Sequence, residues 1–254
     1  MLAALTRAVS PSLTACELTW LPRQPIDIEL AIQQHHAYER ALSGLGLHII
    51  SLPAEPALPD SMFVEDPLLV LDEIAILTRM GAVSRRAEGE TLAAAIAPFR
   101  ALHRLTEPAT LEGGDVMRIG RDLYVGLSGR TNEAGIDRLR TAVEPFGYRV
   151  IAVRMNGCLH LKSACCFAGD GVLVANPAWL DLAPFCDLEV LPVPDDEPGA
   201  ANVLRIHDTL LMPACFPKTE ALLRSKGFNV QTVDISELIK AEAAVTCSSV
   251  IFET

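Results

Sequence analysis

The chain has 254 residues, half of them hydrophobic and 21% charged, which suits a folded protein with a sizeable core and argues against a disordered one. A net charge of −11 and a pI near 5.0 describe an acidic surface that repels phosphate backbones and anionic lipid, so neither nucleic acid nor a membrane is expected as a partner. No apolar run is long enough for a bilayer, Met1 to Val9 lacks a signal-peptide layout, and seven irregularly spaced cysteines without a C-x-x-C pair point to reduced thiols in the cytoplasm rather than to disulfides or a zinc site.

In chain order, Met1 to Val9 reads as a strand and the proline-punctuated Ser10 to Pro25 as a loop. Asp27 caps a helix over Ile28 to Leu45, closed by Gly44 or Gly46, and Leu47 to Leu52 reads as a buried strand. Met62–Val64 with Pro67–Leu71 forms one interrupted strand and Ile74–Thr78 a second. Ser84–Phe99 is a helix with Leu92, Ala95, Ile96 and Phe99 on one stripe, and His103–Thr106 returns as a strand. The same order recurs. Asp115–Ile119 and Leu123–Gly126 precede a helix capped by Asn132 and the strand Tyr148–Val153. His160–Phe167 and Val172–Ala175 precede a short helix near Pro177 and the strand Leu188–Val193. Ala201–Ile206 and Leu210–Pro213 precede a helix opened by Pro217 and the strand Val230–Val233.

Four strand–strand–helix–strand units are thus visible. A fifth can be assembled from the two ends if the strand spanning residues 244–252 pairs with the N-terminal one. The reading is a single α/β domain over residues 1–254, a five-unit ring with its first strands at the centre and no free inner edge. An ordinary α/β sheet with antiparallel hairpins explains the regular recurrence less well.

Chemistry-bearing residues stand at equivalent places in this ring. One unit opens with Asp60, Glu65 and Asp66, the next with Glu112-Gly113-Gly114-Asp115, the third with His160, and the closing strand carries Cys247. Each alone has an ordinary explanation, and Cys247 could be a small buried hydrophobe. Together they make a cysteine–histidine–carboxylate set of the kind that activates a thiol nucleophile. Clustered carboxylates repel unless a cation joins them, and a guanidinium, with its forked donors, fits. Arg85 and Arg130, each near a helix start, are placed to grip a carboxylate at the other end of such a ligand.

The motifs DSMFVEDP (60–67), LEGGD (111–115), GRTN (129–132), HLKS (160–163) and VTCSS (245–249), in this order across nearly the whole chain, resemble the dimethylarginine dimethylaminohydrolase family of the guanidine-modifying superfamily. The resemblance implies the five-bladed α/β propeller, or pentein, fold. It implies Cys247 as nucleophile, His160 as general acid then base, and Glu112 as the carboxylate that orients His160 and contacts the guanidinium. Asp60, Phe63, Glu65 and Asp66 would bind substrate, with Arg85 and Arg130 on its amino-acid end and backbone contacts from Leu18, in a lid loop, and Ala241. The implied reaction hydrolyses an N-methylated arginine to citrulline and a methylamine through a thiouronium on Cys247, with no metal and no cofactor. Its only partner is a small guanidino substrate, and an exposed edge of the ring would suit a homodimer. Other guanidine hydrolases, an amidinotransferase, or a non-catalytic pentein binding module are the alternatives. One departure stands out: the family's glycine before the Thr-Cys is absent from Ala241-Glu242-Ala243-Ala244.

Overall fold

A computed structural model describes residues 1–254. Strand β1 (Leu2–Arg7) is followed by helix α1 (Ile28–Gly44), whose first turn is closed by the Asp27 carboxylate accepting from the Leu30 amide, and by β2 (His48–Leu52). The second blade holds β3 (Leu68–Val70), β4 (Ile74–Leu77), α2 (Gly89–Ile96) and β5 (Ala101–Arg104). The third holds β6 (Val116–Ile119), β7 (Asp122–Leu127), α3 (Glu133–Val143) and β8 (Arg149–Arg154). The fourth follows the short helix α4 (Leu161–Ala164) with β9 (Cys165–Gly169), β10 (Val172–Ala175) and β11 (Glu189–Pro192). The fifth comprises β12 (Leu204–Ile206), β13 (Thr209–Pro213), α5 (Pro217–Ser225) and β14 (Asn229–Val233). After one turn of helix, α6 (Ser236–Ile239), the chain ends in β15 (Val250–Glu253).

Five three-stranded sheets result, each with its middle strand antiparallel to the first and parallel to the third. β15 pairs antiparallel with β1, which pairs parallel with β2, so the first blade takes its inner strand from the far end of the chain. Inner strands touch their neighbours around the ring, β15 with β3, β6 with β9 and β9 with β12. They enclose a channel of about 340 Å³.

Burial follows position. The middle strands β1, β4 and β13 are almost wholly buried, because a sheet and a helix cover them. β2, expected as a buried strand, is the outermost of its blade and half exposed, with His48 and Ser51 facing outward. Ile49 packs against one core cluster and Ile50 and Leu52 against another, but at the blade's outer edge each is only partly covered.

Three further expectations need correction. Met62–Val64 is a turn and not a strand. His160 does not lie on a strand but at the N-terminal boundary of α4. The helix near Pro177 does not form. There the Asn176 side chain accepts from the Ala178 amide in a turn, Pro177 and Pro184 withhold backbone donors, and only a 3-10 turn at Ala183–Phe185 remains. Cys165 and Cys166 do face opposite ways, into two different core clusters.

Cys247 itself lies in a turn over residues 245–248 just ahead of β15. The buried Tyr38 hydroxyl donates to the Val245 carbonyl at 2.7 Å and accepts from Ser249. The Asn202 side chain brackets Thr246 with two bonds, and the Glu65 amide donates to the Cys247 carbonyl at 3.3 Å. α1 and the entries of the second and fifth blades therefore fix this turn. Tyr38→Phe leaves a buried carbonyl without its donor, so a loss of about 1–2 kcal/mol is expected, read as a lower urea midpoint at unchanged slope.

Candidate active site

A small cavity at one end of the ring is bounded by Asp60, Phe63, Asp66, Arg85, Arg130, His160, Ala241 and Cys247, joined by Glu17, Leu159, Glu242 and Ala243. Eight of the eleven expected residues thus meet on one cavity. The other three are close but differently placed. Glu112 is wholly buried behind His160, with both oxygens engaged. Glu65 points instead into the central channel, where it pairs with Lys162 of the fourth blade, and does not face the cavity. The Leu18 side chain packs on the core cluster beneath, while its neighbour Glu17 borders the cavity.

The histidine is the hub. Its Nε2 lies 2.8 Å from Glu112 Oε2 and its Nδ1 3.8 Å from Asp66 Oδ1. Burial alone would pull its pKa down, but the Asp66 charge, the bond to Glu112 and buried Asp115 outweigh that and push it up to about 9. Burial likewise works to raise Glu112, yet the bond to His160 and the charges of His160, Arg85 and Arg130 bring it down to about 2. The pair is thus an imidazolium against a carboxylate.

Local sequence makes this packing feasible. A methyl group built on Gly114 would sit 2.5 Å from the His160 ring and 2.8 Å from Asp66, and one on Gly113 would sit 2.0 Å from the Glu65 carbonyl. The two glycines let the blades close on one another. The Gly114 amide donates to Asp66 Oδ1 and the Gly81 amide to Glu112 Oε1. Asp115 accepts from the Leu161 amide and the Ser128 hydroxyl, anchoring the turn that carries His160.

Arg85 donates to Asp66 at 2.9 Å and makes a fork with Glu88. Burial pushes Glu88 up to about 7, even against Arg85. Arg130 reaches Thr19 at 2.9 Å, its Nη1 is 3.5 Å from Glu112, and that nitrogen has no hydrogen-bond partner. Glu88, Asn202 and Lys162 carry no role in the sequence reading, and Asp115, part of the LEGGD motif, has none of its own there. Lys162 stood inside the HLKS motif, but Glu88 carried no signal beyond lying three residues after Arg85.

Cys247 is held as a neutral thiol. Burial first, then the charges of Asp66 and Glu65, push its pKa up to about 12. A ligand atom from each of Asp66, Glu112 and His160 lies within 4.8 Å of the others, a spacing a metal ion could use. The arginines and the imidazolium already supply the positive charge there, so the donor set is better suited to protein cations than to a metal.

A five-bladed α/β ring with a thiol, an imidazolium and acidic groups around one cavity defines a member of the guanidine-modifying, pentein-fold class. A model of the family described as N,N dimethylarginine dimethylhydrolase, eukaryotic, matches residues 20–173, and the chain is 43% identical to an N(G),N(G)-dimethylarginine dimethylaminohydrolase of Streptomyces coelicolor over 97% of its own length and 95% of the relative's. The chain belongs to the dimethylarginine dimethylaminohydrolase family. Among solved structures it is similar to DDAH from Pseudomonas aeruginosa, a cysteine-to-serine mutant complexed with citrulline (TM-score 0.94, 33% identity, 98% of each chain). It is equally similar to a histidine-to-glycine dimethylarginine dimethylaminohydrolase adduct with S-methyl-L-thiocitrulline (TM-score 0.95, 34% identity, 99% of this chain and 100% of the other).

Glu112→Gln removes the anion bonded to the imidazole, and His160 is then expected to titrate well below about 9 by NMR. A folded pKa raised above the ordinary 6.5 contributes stability that is full below pH 6.5 and is lost as pH rises through about 9. The stability gap between wild type and His160→Gln is expected to shrink across that window.

Proposed function

We propose that the chain hydrolyses an N-methylated arginine to citrulline and methylamine or dimethylamine. The observation that carries this reading is the convergence of Cys247, His160 and Asp66 on one cavity, with Glu112 bonded behind the imidazole. Asp66 receives the substrate guanidinium, a planar cation beside its carboxylate. Arg130, with a free buried Nη1, takes the substrate carboxylate, and Arg85 holds Asp66 in place. Glu112 acts through His160, since neither of its oxygens is free for the ligand.

The resting thiol, with a pKa near 12, is a poor nucleophile at neutral pH. A bound guanidinium supplies the positive charge the pocket lacks next to it, which favours the thiolate. The thiolate adds to the guanidinium carbon. His160, protonated below about 9, gives its proton to the departing alkylamine and leaves a thiouronium on Cys247. The neutral imidazole then takes a proton from water, which attacks the same carbon. The hydroxyl adduct collapses with cleavage of the C–S bond and loss of its hydroxyl proton to water, citrulline leaves, and the imidazolium is restored. The thiol regains from water the proton it gave up when the guanidinium bound, and the free amine takes up the other, so protons and atoms balance without metal or cofactor.

The whole chain acts as one catalytic domain in this reading, in the cytoplasm, and a homodimer through an outer blade edge belongs to the same proposal. No helix is long and apolar enough to cross a membrane.

Cys247→Ser is expected to keep its circular dichroism and lose at least a thousandfold in citrulline formation. Substantial turnover by that variant would overturn the mechanism. Iodoacetamide labelling of Cys247 is expected to speed up when a guanidinium ligand is added at pH 7; an unchanged or slower rate would refute assisted thiolate formation. Mass spectrometry of products from methylarginine, arginine and agmatine separates the proposed substrate from other guanidines.

A further inference from the structure

The cavity measures about 20 Å³, room for about one water molecule and far less than an amino acid needs. The loop over Glu17–Leu21 covers it. Substrate admission and product departure therefore require this loop to lift, and something must hold it down between turnovers.

Two of its attachments come from residues already assigned to the site. Asp60 accepts from the Glu17 amide and Arg130 donates to the Thr19 hydroxyl. Ser84 adds a bond to the Glu17 carboxylate. The strongest attachment comes from a residue with no assigned role. The Glu242 carboxylate accepts from three successive loop amides, Thr19 at 3.0 Å to each oxygen, Trp20, and Leu21 at 2.6 Å. Three consecutive N–H groups converging on one carboxylate form an anion-binding concavity, and such charge-assisted bonds are the strong kind.

The backbone at Glu242 points the same way. It has a φ of +58°, one of only three such non-glycine residues in the chain. The other two, Asp170 and His207, sit in the hairpin turns joining β9 to β10 and β12 to β13. Glu242 ends α6: its amide bonds the Ile239 carbonyl and the Ala243 amide bonds Leu238, the left-handed closing pattern that glycine ordinarily supplies. A glycine there would relieve the strain but could not reach the loop.

We propose that Glu242 is a positioning residue that latches the Glu17–Leu21 loop shut over the catalytic cavity, setting substrate retention and thiol access. The inference rests on the hydrolase reading for its kinetic consequence, but not for the latch itself.

Glu242→Gly is the informative variant, because it keeps the left-handed backbone and removes only the carboxylate. Two readouts do not need turnover: iodoacetamide labelling of Cys247 at pH 9 without ligand, and emission of Trp20, 55% exposed in this loop, in a Trp179→Phe background. Labelling is expected to accelerate at least fivefold in Glu242→Gly and Trp20 emission to change, with thermal stability retained. KM for methylarginine is expected to rise about tenfold with kcat changed less than threefold, and Glu242→Gln, which keeps one acceptor oxygen, to recover part of each effect. Unchanged labelling and emission in Glu242→Gly would overturn the latch while leaving the hydrolase reading intact. A stable Glu242→Gly with wild-type KM would do the same, since it would reduce Glu242 to a helix terminus. If the wild type hydrolyses no guanidine yet labelling and emission respond, the latch stands and the substrate reading fails.

Discussion

The 2.8 Å bond between His160 and Glu112 is the interaction around which the molecule is arranged. It joins the third blade to the fourth across the ring, wholly out of solvent, and leaves a cation where a neutral imidazole would be the ordinary choice. A buried charge pair is costly unless its remaining donors and acceptors are met. Here the Gly81 amide donates to Glu112, the Arg130 charge stands 3.5 Å from the same oxygen without a hydrogen bond, and Asp66 faces the other imidazole nitrogen. The two glycines after Glu112 are the steric counterpart, since any side chain at Gly114 would displace the ring.

The charges around that bond let the site wait inert. Burial first, then the charges of Asp66 and Glu65, outweigh the opposing charge of Lys162, so the Cys247 thiol holds its proton. Arg85 is divided between Asp66 and Glu88, and Lys162 is committed to Glu65. The group most able to change the balance is a cation arriving in the cavity. Recognition and activation are then one electrostatic event, and the loop held by Glu242 decides when it happens. Burial of the cavity strengthens every charge interaction in it, so a closed loop and an effective nucleophile support one another.

Much of this was legible from the sequence, for physical reasons. The blades are punctuated by turn chemistry at Gly120, Gly169-Asp170-Gly171 and His207, all with positive φ, and Asn132 caps α3 as its side chain suggests. Local rules therefore gave the ring, and the ring placed Cys247 against His160 without sequence adjacency. What local rules could not reach were choices made by distant partners. Apolar neighbours made the stretch around His160 read as a strand, but the Asp115 carboxylate, 46 residues earlier, captures the Leu161 amide and turns it into a helix start. The Cys247 segment read as continuous strand because only Tyr38 and Asn202 reveal it as a turn. Glu65 looked equivalent to Asp66 until Lys162 drew it into the channel. Glu242 looked like a missing glycine, and only the loop from the other end of the chain shows what its side chain does.

In the proposed reaction the Cys247 sulfur bonds to the substrate's guanidinium carbon. Rapid acid quench of the wild-type enzyme during turnover of a methylarginine, followed by peptide mass spectrometry, tests it directly. A transient adduct is expected on the peptide carrying Cys247, with the mass of the substrate less its methylamine, that decays as citrulline accumulates. Citrulline formation with Cys247 unmodified at every time point, under conditions that capture a stable thiouronium standard, would contradict it.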